Sequence, residues 1–300
     1  MSSSPKYFDP QTLAKLQNLA LRARHVVEGY VAGSHRSPAH GFSIEFAEHR
    51  EYTPGDDLRY VDWKVFGRTD KFYLKQFEDE TNLICHLVLD VSESMQYQGP
   101  DSPWSKLDHA ATAAASLAWL ILQQQDAVGL CCYDEEVRSI VRPSSNPSHL
   151  QQLLHTIDSS LGKGKTQTGR VLHELADRFG RRGIVVIFSD FFDDVEQLML
   201  GVKHLRHRRH DVIVAHTLDA AELDFPFRRQ TLFKGMEALP ESLVDPRGIR
   251  RAYQKKIDEF RQEIETQCHN LRVDYLLIRN DQPLDVTLSG FLAKRRARLS

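Results

Sequence analysis

The chain has 300 residues, 41% of them hydrophobic, and a formal net charge of -2. That length can bury a sizeable core as one large domain or two small ones. The near-neutral balance excludes a global electrostatic pull toward nucleic acid or an anionic membrane. The longest apolar runs, such as LAWLIL at 117–122, fall short of the roughly 20 residues a membrane helix needs.

The N-terminus, MSSSPKYFDP, is polar and carries no apolar signal segment. None of the four cysteines forms a C-x-x-C pair, and Cys85, Cys131 and Cys132 sit in apolar runs. Reduced, packed thiols in a cytoplasmic protein are the expectation.

In chain order, residues 11–32 have apolar positions at helical spacing and predict an amphipathic helix. Residues 33–80 carry short alternating runs, FSIEF and KFYLKQF, and a tight-turn segment, TPGDD, so short strands and ordered loops are expected. From residue 83 the pattern changes. Buried strands are predicted at 83–89, 127–133, 183–190, 211–218 and 273–279, and VRSIVR at 137–142 is expected to pair with the second of these. Helices are predicted at 105–124, 147–160, 169–179, 194–207 and 248–269. The alternation implies an α/β fold with a mainly parallel sheet and helices on both faces. Residues 1–80 stand apart as an N-terminal helix and small β region, 81–300 form the α/β domain, and 219–247 break the alternation as an insertion.

In open parallel sheets, ligands bind beyond the carboxyl ends of the strands. Asp90 ends LICHLVLD and Asp190 ends GIVVIFSD. Ser92 and Ser94 follow Asp90 at alternate positions, and GKGKTQTG supplies Thr166 and Thr168 ahead of a helix. Asp90, Ser92, Ser94, Thr166 and Asp190 therefore offer hard oxygens from three loops at one sheet edge. A hard divalent cation takes about six oxygens. Two carboxylates and neutral hydroxyls would hold such an ion yet leave it electrophilic toward a carboxylate from outside.

D-x-S-x-S with a later Thr and a later strand-end Asp resembles the metal-ion-dependent adhesion site of von Willebrand factor A domains. All five positions are present, as Asp90, Ser92, Ser94, Thr166 and Asp190. The segment EFAEHREYTPGDDLRYVDWKVFGRTDKFYLKQFEDE, residues 45–80, resembles the signature of a bacterial family, domain-of-unknown-function 58, in which it precedes an adhesion-type domain. The resemblance covers most of the chain from about Gly33. It implies a von Willebrand factor A (Rossmann-like) fold and Mg2+, with Mn2+ or Ca2+ as alternatives. It also implies an adaptor or co-chaperone role beside a MoxR-type AAA+ ATPase or that ATPase's client, reached through an acidic side chain. Many relatives carry membrane helices; this sequence shows none.

Other readings stay open on the residues themselves. Asp90, Ser92 and Ser94 could be turn formers or caps. Asp193 or Asp194 could replace Asp190, and Thr168 could replace Thr166 or cap the following helix. GKGKT lacks the first glycine of a phosphate-binding loop, Ser159 standing in its place. Arg50, Asp56, Asp57, Arg59, Asp62 and Trp63 form either a partner-docking surface or an internal ion-pair network. His204, His207 and His210 suggest a solvated helix end before a transition-metal site, and the basic tail KRRAR a solvated terminus. No nucleophile–base motif is visible, so no enzyme is expected. The alternative is a Mg2+-dependent phosphatase or other hydrolase using Asp90, although hydroxyls stand where such enzymes place a second carboxylate.

Overall fold

The computed structural model describes residues 44–51, 63–69, 72–79, 83–160, 164, 166–236 and 241–299. Residues 36–83 cluster as one compact unit, and the chain from Ile84 onward belongs to another. In the smaller unit, β1 (Ile44–Glu51) pairs antiparallel with β2 (Tyr73–Asp79), with Phe46 opposite Phe77. These are the two strands predicted from alternation. Between them in sequence lies a short helix, α1 (Trp63–Thr69), where loop was expected. The helix predicted at 11–32 lies outside the described residues.

The larger unit is a mixed α/β fold around a six-stranded sheet. Its strands are β3 (Ile84–Asp90), β4 (Ala127–Tyr133), β5 (Val137–Ser144), β6 (Ile184–Ser189), β7 (Asp211–Leu218) and β10 (Asp274–Arg279), in the spatial order β10-β7-β6-β3-β4-β5. All neighbours run parallel except β4 and β5. The central strands are apolar on both faces, as a parallel sheet covered on both sides requires. Leu87 and Leu89 pack into one buried cluster while Val88 packs into a second, which follows from the two-residue repeat of a strand.

The helices are α2 (Lys106–Gln123), α3 (His149–Ser159), α4 (Thr168–Arg178), α5 (Val195–His207) and α7 (Pro246–Asn270). In α2 the small side chains of Ala110, Ala113, Ala114 and Ala118 are buried against the first cluster. Ser105 caps its start, accepting the Asp108 N–H at 3.0 Å. The 219–247 insertion contains a short helix, α6 (Ala220–Asp224), and a hairpin of β8 (Thr231–Phe233) with β9 (Ser242–Val244).

The C-terminal segment differs from the solvated end expected of it. It forms α8 (Leu284–Leu299), and Arg295 makes ion pairs with Asp211 and Asp274 at the starts of β7 and β10. Its cation is consumed by acidic residues brought there by the sheet.

Strand order reverses between β3 and β6. From β3 the sheet grows one way through β4 and β5, and the other way through β6, β7 and β10. The crevice at such a switch point is where open α/β sheets bind ligands. Asp90 ends β3, and Asp190 directly follows β6.

Candidate metal centre

Asp90 closes the central strand, and two neutral donors hold its carboxylate. The Ser92 N–H donates to Oδ1 at 2.9 Å, and the Ser189 hydroxyl donates to Oδ2 at 2.6 Å. The first bond comes from the turn after β3 and the second from the end of β6, so this one side chain ties the two strand ends together. Ser92 and Ser94 place their hydroxyl oxygens 3.1 Å apart, which sets the alternate-position pattern on one side of the turn.

The third loop is fastened to the first two. The Glu93 N–H donates to the Gly164 carbonyl at 3.3 Å. Asp134, just past β4, accepts the Gly164 N–H on Oδ2, and its carbonyl accepts the Gln167 N–H, both at 3.3 Å. Thr166 lies between those anchors and is buried. The fold therefore gathers the loops of all five predicted residues at the β3/β6 switch point.

Most of these side chains are buried. Asp90, Ser92 and Asp190 have no exposed surface, and Ser94 is half-buried. Lys106 from α2 reaches Asp190 there, and the turn after β3 buries Met95.

The electrostatics follow from that burial. Desolvation, then the neighbouring charge of Asp190, push Asp90 up to about 7, against the pull of its hydrogen bonds from Ser189 and Ser92. Asp190 is compensated by an ammonium group: Lys106 Nζ lies 2.7 Å from its Oδ2 and 2.6 Å from Glu222 Oε1. His216 Nε2–H donates to the Asp190 backbone carbonyl at 3.0 Å, and its Nδ1 accepts from the Tyr275 hydroxyl at 2.9 Å. Burial keeps that imidazole neutral, down to about 3.

The donor set suits a hard divalent cation better than a transition metal, because it is all carboxylate and hydroxyl oxygen. Asp90, buried with neutral donors and repelled by Asp190, is the side chain such a charge would relieve. Among the described residues, no group of three or more His, Cys, Asp or Glu side chains forms a metal cluster. The candidate centre has two carboxylates and relies on hydroxyls for the rest.

The competing assignments separate cleanly. Asp194 caps α5, accepting the Glu196 and Gln197 N–H groups at 2.9 and 3.1 Å. Asp193 accepts the Thr168 N–H at 2.9 Å and so caps α4 from outside. The Thr168 hydroxyl meets the Tyr133 hydroxyl at 3.2 Å instead of capping its own helix. His204 faces His173 at 3.0 Å, whereas His210 is buried beyond the helix end, so the histidine run does not converge.

Of the upstream group, Asp56, Asp57, Arg59 and Asp62 lie outside the described residues. Arg50 is on β1 opposite Leu74. Trp63 begins α1, is 61% exposed, and packs edge-on against Phe66.

Sequence patterns do not point to Ser189, Lys106 or Glu222. One local signal exists for Lys106. It occupies the first helical position of α2, where the macrodipole disfavours a cation. A lysine there, leading an alanine-rich buried face, implies a carboxylate partner from elsewhere.

Among the described residues no helix is long and apolar enough to cross a membrane. Uncharacterized proteins of Mycobacterium tuberculosis and Mycobacterium bovis are each 25% identical to this chain over 295 residues, covering 96% of it and 91% of their own length. Among solved structures, the conserved hypothetical protein BatB from Bacteroides thetaiotaomicron matches at 17% identity and TM-score 0.45, covering 71% of this chain and 98% of its own. An aerotolerance-related membrane protein from Bacteroides fragilis matches at 18% and 0.46, covering 71% and 99%. The family model of the protein of unknown function DUF58 matches residues 48–263, and the chain belongs to that family.

Proposed function

We propose that this chain is a metal-dependent protein–protein interaction module of the von Willebrand factor A type. The observation that carries the reading is that the loops bearing Asp90, Ser92, Ser94, Thr166 and Asp190 meet at the β3/β6 switch point of a mainly parallel sheet. Bound there, a divalent cation such as Mg2+, or Mn2+ or Ca2+, supplies an electrophilic centre for one carboxylate of a partner. The chain's own residues prepare that contact. Ser189 and the Ser92 N–H orient Asp90, the Gly164–Glu93 bond sets the Thr166 loop against the serine turn, and the hydroxyls add oxygens without adding charge. A directional, charge-assisted contact of this kind contributes specificity as well as affinity.

The partner class we infer is a MoxR-type AAA+ ATPase, or its client, with this chain as adaptor or co-chaperone. Support comes from the resemblance of the 45–80 segment, which implies that partner. The hydrolase alternative has less support, because Ser92 and Ser94 stand where such an enzyme places a second carboxylate.

The test is affinity capture from a bacterial lysate with and without EDTA, using wild type and the double variant Ser92→Ala/Ser94→Ala. The variant removes two neutral ligands and leaves net charge unchanged. Loss of the same ATPase under both conditions is expected. Full retention under both would mean that the partner docks elsewhere.

A further inference from the structure

Lys106 is a buried lysine at a helix position that disfavours cations, 1% exposed, with its ammonium between Asp190 and Glu222. The ammonium also faces the Phe192 ring at 4.9 Å and the Tyr97 ring at 5.8 Å. Asp190, a predicted ligand of the cation, is therefore already engaged by a resident positive charge.

The perch behind the ammonium is rigid. Glu222 uses its other oxygen to accept the Asp219 N–H at 2.8 Å, within the capping box of α6. Asp219 is held in turn by the Gly99 N–H at 2.8 Å and by Asn280 Nδ2 at 2.6 Å. Glu222 cannot follow Lys106 toward the crevice without breaking its cap. The ammonium thus divides its charge between Glu222, at 2.6 Å, and Asp190, at 2.7 Å.

Two like charges cannot share one carboxylate without loss. We infer that Lys106 sets the cation affinity of this centre, its ammonium competing with the divalent ion for Asp190 while Glu222 limits that competition. This inference rests on the metal-centre reading and assigns Lys106 and Glu222 as tuning residues outside the ligand set. It also gives the ion a reason to remain electrophilic, because the ammonium draws on one of the two carboxylates meant to neutralise it.

The two residues act with opposite sign, and that makes the test specific. Lys106→Met removes the competitor at similar length. It should tighten Mg2+ binding by about tenfold or more, and Mg2+ should raise the melting temperature of this variant more than that of wild type. Glu222→Gln keeps an oxygen for the Asp219 N–H but frees Lys106 to neutralise Asp190, so Mg2+ binding should weaken several-fold. A merely structural role for the triad would weaken binding in both variants.

The experiment is calorimetric titration of metal-stripped full-length chain with MgCl2, paired with thermal unfolding with and without EDTA. Tighter binding in Lys106→Met with weaker binding in Glu222→Gln supports the inference. Unchanged or weaker binding in a folded Lys106→Met overturns it while wild-type binding leaves the metal centre standing. Should Lys106→Met not fold, Glu222→Gln decides, and unchanged or tighter binding there overturns the inference. No Mg2+ binding by wild type or either variant removes the metal-centre reading itself.

Discussion

The hydroxyl of Ser189 donates to Asp90 Oδ2 at 2.6 Å and, on the same oxygen, accepts the Phe191 N–H at 2.9 Å. One hydroxyl thus orients the central carboxylate and satisfies the backbone of the β6 exit. Ser189→Ala removes both bonds inside a buried site. A hydrogen bond to a buried charge is worth about 1.5–3 kcal/mol. Urea unfolding at pH 8 should show a loss of roughly 2 kcal/mol, and Mg2+ binding should weaken as Asp90 loses its orientation.

Asp90 itself predicts an unusual pH dependence. Its folded value of about 7 lies above the ordinary 3.8, so between roughly pH 4 and 7 the folded state binds more protons than the unfolded state. The metal-free chain should gain stability from this residue as pH falls through 7, and lose it above. In EDTA at pH 8, Asp90→Asn should be more stable than wild type by on the order of 2 kcal/mol, with the gap closing by pH 5. Equal stability of the two chains at both pH values would count against the buried charge.

His86 should act in the opposite direction. It is buried, stacks on Phe179 with ring centroids 3.8 Å apart, and is pushed down to about 4 by burial and by His210. Between its ordinary 6.5 and about 4 the unfolded chain binds the extra proton, so stability falls as pH falls through that window. The ceiling is about 1.4 kcal/mol per pH unit. His86→Phe keeps the stack and removes the titration. Thermal unfolding between pH 7 and 4.5 should show a shallower acid loss for the variant than for wild type.

The α4–α5 contact depends on a glycine. A Cβ at Gly169 would meet the Gln197 carbonyl oxygen at 2.5 Å, and backbone cannot swing aside as a flexible side chain can. Gly169→Ala should cost roughly 1–3 kcal/mol. Because α4 begins just after Thr166, hydrogen exchange in residues 166–172 should rise with it. An unchanged melting temperature would mean the two helices separate freely.

Much of this fold is legible in the order of its residues. The buried strands show because residues such as Val185, Val186 and Ile187 are apolar on both faces, and Ala-rich α2 shows because its small residues recur together. Asp90 and Asp190 stand out as single charges ending such runs. What stays hidden is long-range. Lys106 meets Asp190 across 84 residues and Glu222 across 116, and no periodicity records such a pairing. Short elements such as α6 and the β8–β9 hairpin carry too few residues for a pattern. The α8 tail reads as solvated because KRRAR is basic, yet Arg295 finds Asp211 and Asp274 once the sheet has placed them.

A hard divalent cation should bind the β3/β6 crevice through hydroxyls as well as carboxylates. The most direct test is calorimetric titration of the metal-stripped chain with Mg2+, comparing wild type with Ser92→Ala/Ser94→Ala. Wild type should show one site per chain, and the charge-neutral double variant an affinity lower by about tenfold or more. Equal affinity in the two proteins, or no binding in wild type, would contradict it.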